Sequence, residues 1–241
     1  MNGLHHKAKK YKLIGIVSDF LLLFFPNYCL SCTNSLVKGE DILCTNCILE
    51  LPKTNYHLQN ENPVALKFSG RLNLHLGLAF LKFRKGGIVQ RLLHQLKYNN
   101  HPEVGIRLGK LFGKELKDAG YDTQFDLIIP VPLHATRKRK RGYNQSTMFA
   151  QGLSEALNIP WDESISVRKR LTKTQTTKSR TDRWENVKDV FSVQANGKVS
   201  GKRVLLVDDV ITTGATLEAC GLHLLRSNCA TLSIACLAEA N

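Results

Sequence analysis

Two adjacent carboxylates, Asp208 and Asp209, are followed within a few residues by Thr212, Thr213, Gly214, Ala215 and Thr216. Acids of this kind suit the vicinal hydroxyls of a ribose, or a hydrated Mg²⁺ beside them. Threonine hydroxyls and a glycine that lets the backbone come close suit a phosphate. The elements that must hold them are legible on either side. Val204–Val207 is a β-branched apolar run, the pattern of a strand buried on both faces. A helical pattern starts near Thr216, with Leu217, Leu224 and Leu225 on its apolar side. Ligands of open α/β sheets bind outside the carboxyl ends of the strands, and a helix N-terminus there presents unpaired N–H groups to an anion. A sugar phosphate fits both halves, with acids on the sugar and amides and hydroxyls on the phosphate. An ordinary strand-to-helix turn with capping residues is the plainer reading, but two acids and three threonines exceed what a cap needs.

A second constellation lies near the start. Cys29-x-x-Cys32 and Cys44-x-x-Cys47 are two knuckles separated by eleven residues, with Gly39, Glu40 and Asp41 supplying a turn. Four thiolates so spaced form a tetrahedral Zn²⁺ site that holds together a segment too small for a core of its own. With no neighbouring acid–base group, such a site is structural. Two disulfides are the alternative and require an oxidising compartment.

The third is basic. Phe125–Val131 reads as a buried strand ended by Pro130-Val-Pro132. Arg137, Lys138, Arg139, Lys140, Arg141, Gly142, Tyr143, Asn144 and Gln145 follow His134 and precede a helix with Met148, Phe149, Leu153 and Leu157 on its apolar face. A run of bases at the ligand side of a sheet reads as a pyrophosphate clamp, since Arg makes bidentate bonds to phosphate oxygens. A solvated charge run is the alternative. Residues 173–183 are polar, basic and nearly free of apolar side chains, including Lys173, Gln175, Lys178, Arg180 and Arg183. They read as a loop that closes over phosphates, or as a disordered insert.

The remainder is scaffold. Residues 13–25 are apolar after a basic start and imitate a secretory signal. Asp19 and the missing small-x-small site argue for an amphipathic helix stopped by Pro26, with Leu13, Val17, Phe20 and Phe24 on one face. Packing on the chain itself and association with a membrane surface are both open to it, and the run is too short to span a bilayer. Residues 52–72 read as a polar linker, 74–83 as a strand, 88–98 and 104–116 as helices, 165–167 as a short strand and 230–237 as the last strand. Cys220, Cys229 and Cys236 fall on apolar faces and read as core. Strands and helices alternating from 125 to 237 predict a parallel, doubly wound sheet. The expected division is 1–55, an amphipathic helix with a zinc ribbon, and 73–241, the α/β domain. The 241 residues, 43% hydrophobic and 22% charged, have the balance of a soluble globular protein. The net charge of +14 favours polyanionic partners, and the odd total of seven cysteines argues against a disulfide-paired secreted design.

The Asp208–Thr216 stretch resembles the phosphoribosyl-pyrophosphate (PRPP) signature of type I phosphoribosyltransferases. The order of cysteine knuckles, Leu96-Lys97-Tyr98, Pro130-Val-Pro132-Leu133, Arg141–Gln145, Gln175, Arg183-x-x-Asn186-Val187 and the signature resembles the ComF family of competence-associated, GntX-like proteins over nearly the whole chain. The resemblance implies a type I phosphoribosyltransferase core with helices on both faces behind a zinc ribbon, in a bacterial cytoplasm and with an option of association at the inner face of the membrane. It implies PRPP and Mg²⁺ as ligands, with Asp208 and Asp209 on the ribose hydroxyls and residues 212–216 on the 5′-phosphate. Lys97, Arg137, Arg141, Gly142, Tyr143, Asn144, Gln145, Gln175 and Arg183 would serve the pyrophosphate and its closing loop. It further implies a link to DNA uptake, with single-stranded DNA and the competence helicase and processing proteins as partners. Purine transferases similar to this family carry an acid where this chain has Thr212, which argues against a 6-oxopurine acceptor, and the sequence itself offers no acceptor pocket. The rival to an enzyme is a non-catalytic nucleotide sensor or a DNA-binding adaptor.

Overall fold

The structure, a computed structural model, describes residues 26–59, 61–168, 191–194 and 196–240. The expected helix over 13–25 and the basic segment carrying Gln175, Arg183 and Asn186 lie outside the described residues. The chain divides into two compact units, one ending at Glu50 and one beginning at Leu51.

The first unit has little besides its cysteines to bury. Leu43 is its one fully covered apolar side chain apart from cysteine among the described residues, while Tyr28, Val37 and Leu49 are exposed. A five-residue helix, α1 (Thr45–Leu49), starts on Cys44, whose sulfur accepts the Cys47 N–H.

The second unit is built on a four-stranded sheet in the order β1-β6-β5-β2, all parallel, with β1 at Leu76–Lys82, β2 at Leu127–Pro130, β5 at Arg203–Ile211 and β6 at Thr231–Glu239. Helices cover both faces. One side takes α2 (Pro63–Lys67) and α7 (Ala215–Arg226), whose Val64, Leu217 and Leu224 pack with Val204, Leu206 and Ile234. The other takes α3 (Ile88–Tyr98), α4 (Glu103–Asp118) and α6 (Gln145–Leu157), where Phe112 stacks on Phe80 at 5.1 Å and on Phe149 at 6.4 Å. Burial on both faces is why these strands read as unbroken apolar runs. Cys220 and Cys236 are core, and Cys229 is half-buried at its edge.

Helices α4 and α6 lie unusually close. A β-carbon added at Gly152 would stand 2.1 Å from the Ile106 carbonyl oxygen, and one at Gly109 would stand 2.5 Å from that of Phe149. Glycine is what allows the two backbones to touch. This contact sets where the N-terminus of α6 emerges beside the sheet.

Three expectations are corrected. Residues 52–72 are no linker: they contain α2 and bury Tyr56, Val64, Phe68 and Leu72 in the main core. The polar residues there made the segment look soluble, but the apolar ones share an inner face. The short strand β3 (Ser166–Arg168) does not join the parallel sheet; it pairs antiparallel with β4 (Phe191–Val193). The five bases make up most of a helix, α5 (Ala135–Arg141), closed by Gly142 at φ 83°. And β5 does not stop before the acids: it stays paired to β6 as far as Ile211. Hydrogen bonding to an already formed neighbour overrides the low strand preference of aspartate.

Candidate active site

Because β5 runs through both acids, the two-residue period of a strand sends them to opposite sides. Each is met by a different helix. Lys97, in the last turn of α3, places Nζ 2.7 Å from Asp209 Oδ2. Ser146, in the first turn of α6, donates its hydroxyl to Asp208 Oδ1 at 2.8 Å, and the Asp209 N–H donates to the same oxygen at 2.9 Å. Burial, and then the negative charge of Asp209, push the Asp208 carboxyl up to about 7, against the Ser146 and Asp209 donors and the charge of Lys97. An acid held this way is short of positive charge.

The loop after β5 turns at Gly214, which adopts φ 79° as the cap of α7. A β-carbon there would also meet the Phe68 ring at 2.8 Å. Phe68, from the segment after α2, therefore forms the floor of the loop. The Thr213 hydroxyl accepts the Ala215 N–H at 3.4 Å. The Glu218 N–H reaches the Gly214 carbonyl at 2.8 Å; the amides of Thr216 and Leu217 before it precede the helical bonding pattern and are donors for a ligand. Arg71 pairs with Glu218 in that same first turn and anchors it.

On the β2 side, Asn144 caps α6 and donates its side-chain amide to the Val131 carbonyl at 2.9 Å, fixing the helix start to the strand end. Arg141 donates to Gln145 Oε1 at 2.7 Å and lies over the Tyr98 ring at 5.4 Å. Gln145 is 2% exposed, and its amide nitrogen has no protein partner among the described residues. A buried, unsatisfied donor at a cavity wall costs about 1–3 kcal/mol unless something accepts from it.

A cavity of about 320 Å³ gathers Lys97, Arg137, Arg141, Asn144, Gln145, Asp208, Asp209 and Thr216. These residues, widely separated in sequence, are brought together. Thr212 instead lines a neighbouring groove, and Tyr143 lines a basic pocket of about 380 Å³ with Arg137, Lys140 and Arg141, its hydroxyl donating to the Leu96 carbonyl at 2.6 Å. Thr213, Gly214 and Ala215 form the turn into α7, and Gly142 ends α5. Two wall residues escaped the sequence reading: Ser146 and Arg168. Arg168 is half-buried at the end of β3; desolvation and the nearby Arg137 lower its pKa, while Asp208 opposes them. Its place at the end of a predicted strand was a usable signal. Ser146 had none, since its partner lies 62 residues away.

The four sulfurs of Cys29, Cys32, Cys44 and Cys47 lie within 4.8 Å of one another. Cys32 and Cys44 are 3.6 Å apart, close to the ~3.8 Å edge of a tetrahedron with Zn–S bonds of about 2.3 Å. Burial raises the Cys29 thiol, but N–H donors from Cys32, Cys44 and Ser31 outweigh it and bring it down to about 7. The donor set fits a soft tetrahedral cation. Among the described residues, no helix is long and apolar enough to cross a membrane.

Residues 94–241 match the phosphoribosyl transferase domain. The chain is 38% identical to DNA utilization protein YhgH of Shigella flexneri, over 61% of this chain and 65% of that relative's length. It is 31% identical to Competence protein F of Haemophilus influenzae, over 82% of this chain and 90% of the relative. Among solved structures, the glutamine PRPP amidotransferase of B. subtilis is similar over 55% of this chain and 25% of its own, at 26% identity and a TM-score of 0.40.

Proposed function

Since the chain belongs to the ComF family and carries its phosphoribosyl transferase domain, we propose that it binds PRPP with Mg²⁺ at the carboxyl end of β5 and transfers the phosphoribosyl group to an acceptor. The carrying observation is the content of the cavity of about 320 Å³: Asp208 and Asp209 share it with Arg137, Arg141, Arg168, the Gln145 amide and Thr216 of the first turn of α7. The 5′-phosphate would take the amides of residues 213–216 and the hydroxyls of Thr213 and Thr216. Asp208 and Asp209 would accept from the ribose hydroxyls, with Lys97 holding Asp209 in place. Arg137, Arg141, Arg168 and the Gln145 amide would grip the pyrophosphate. In the transfer, the acceptor atom bonds to C1 while the C1–O bond breaks and its electron pair leaves on pyrophosphate; the acceptor's proton goes to solvent. The protein contributes position and fixed charge to that step. Asp208 and Asp209 are the residues that would hold Mg²⁺, and the chemistry it would supply there is positive charge for the pyrophosphate.

We assign the four cysteines to a structural Zn²⁺. By its relatives' names, the activity is proposed to serve the uptake and use of DNA, in the cytoplasm. A second reading has one observation in its favour: the basic pocket beside α5 carries Tyr98 and Tyr143 among its cations, a combination that suits single-stranded DNA.

Calorimetry with PRPP and Mg²⁺ tests the first reading. Wild type is expected to bind, and the Asp208→Asn, Asp209→Asn double variant to bind at least 100-fold more weakly. Wild type that ignores PRPP would sink it. For the second, log affinity for an oligonucleotide should fall steeply with log salt; a flat dependence removes it.

A further inference from the structure

Glu239, at the end of β6, is an acid that the proposed chemistry does not use. It is 5% exposed. The Tyr56 hydroxyl donates to its Oε2 at 2.7 Å, and Lys67 Nζ stands 3.5 Å from its Oε1. A buried ion pair gives up hydration that its attraction barely offsets, so stability alone is a poor reason for one. What this pair fixes is the end of α2 against the end of β6. The next residue, Ala240, donates its N–H to the Ile211 carbonyl at 2.9 Å, where β5 gives way to the loop of residues 212–214.

Two more contacts follow along the same stretch. Phe68 is fully buried beneath Gly214, in the middle of that loop; a β-carbon at Gly214 would stand 2.8 and 2.9 Å from two of its ring carbons. Arg71 pairs with Glu218 beyond the loop, and its Nη1 donates to the Lys67 carbonyl at 3.1 Å. Lys67, Phe68 and Arg71 thus hold the loop before, at and after its turn. Their base is rigid. Gly77 of β1 lets α2 lie directly on the sheet, since a β-carbon there would stand 2.7 Å from the Ala65 nitrogen. Asn62 caps the helix, its Oδ1 accepting the Val64 and Ala65 N–H groups at 3.0 and 3.1 Å.

We infer that Lys67, Phe68 and Arg71 are positioning residues that keep residues 212–216 in their phosphate-binding shape before the ligand arrives; the inference rests on the phosphoribosyl reading above. The ligand group they serve is a terminal phosphate monoester. The amides after Gly214 converge on one only while the turn keeps its left-handed geometry, φ 79°. Amides already in place need no ordering on binding, which is where a preformed loop gains affinity. All three residues lie ahead of residues 94–241, the matched transferase domain, so the loop of that domain is shaped by chain outside it.

Paired ligands separate this clamp from general loosening. Calorimetry with Mg²⁺ would compare ribose 5-phosphate, whose one phosphate depends on the loop, with PRPP, which adds the pyrophosphate. Arg71→Gln breaks a partly exposed ion pair and should leave Tm almost unchanged. Phe68→Leu keeps an apolar side chain but withdraws the floor. Each is expected to weaken both ligands by the same factor, roughly tenfold, because only the shared 5′-phosphate contact is disturbed. Arg71→Lys keeps the charge and should recover most of the affinity. Hydrogen exchange at the amides of residues 213–217 should quicken in Arg71→Gln and Phe68→Leu. The inference is overturned if both of these variants bind ribose 5-phosphate as wild type does, or if PRPP loses far more than ribose 5-phosphate, as it would in a site loosened throughout. Wild type that binds neither ligand brings down the phosphoribosyl reading, and this one with it.

Discussion

The two units solve the problem of staying folded in opposite ways. Residues 26–50 bury three cysteines and Leu43 almost completely and leave Tyr28, Val37 and Leu49 in water. An apolar core that small cannot offset the entropy of ordering the segment, at about 1–2 kcal/mol per residue for the backbone. Residues 51–240 bury a two-sided core on a parallel sheet, rich in Leu, Ile, Val and Phe. One region depends on a few donor atoms at set distances, the other on many contacts of which each is small. The difference decides where each is fragile.

Removing the metal should give the largest effect. Structural Zn²⁺ in small peptides contributes about 10–16 kcal/mol. The purified chain is expected to carry one Zn²⁺ per molecule by elemental analysis. Cys44→Ser should lose it and expose residues 26–50 to protease, while the thermal transition of the sheet unit stays where it was. A variant that keeps its metal, or whose two units melt together, would break the contrast.

Packing should yield next. Gly152→Ala gains about 1 kcal/mol of helix propensity but drives a carbon into the Ile106 carbonyl. Overpacking costs about 1–3 kcal/mol even where side chains can yield, and here a backbone must. A net loss of about 2 kcal/mol or more is expected, a fall in Tm of roughly 4–8 °C at this size. Gly197→Ala, whose added carbon meets nothing, is the control. Equal Tm values for the two would show that the α4–α6 contact is loose.

The smallest effect is at the site. Asp208 titrates near 7 when folded and near ~3.9 when unfolded. The folded state therefore holds its proton longer, so this group's contribution to stability is full below pH ~4 and is lost as pH rises through about 7. Asp208→Asn removes the buried charge. Without ligand, the variant should be more stable than wild type at pH 8, by on the order of 1–3 kcal/mol, with the gap closing toward pH 5. Melting curves at both values check it, and a gap that ignores pH refutes the assignment.

Site and scaffold were unequally legible. Cys29–Cys47 and Asp208–Thr216 are chemistry written within about twenty consecutive residues, so residue types and spacing alone exposed them. The helix pairing of α4 and α6 was hidden, because a glycine in a helical pattern reads as a weak helix former until the neighbour that needs the space is known. Residues 52–72 misled for a related reason: nothing local says that Phe68 is to be covered until Gly214 comes to rest on it.

What the sequence determined by itself was the set of local chemistries: a four-thiolate site, an acid-then-threonine turn, a basic run and the alternation that makes a parallel sheet. Tertiary structure alone decided how they combine. Lys97 and Asp209 are 112 residues apart and Ser146 and Asp208 are 62 apart, and no local pattern specifies such pairs. Only the assembly of the sheet, which brings strand ends from across the chain to one edge, gathered Lys97, the arginines, Ser146 and the two acids around one cavity.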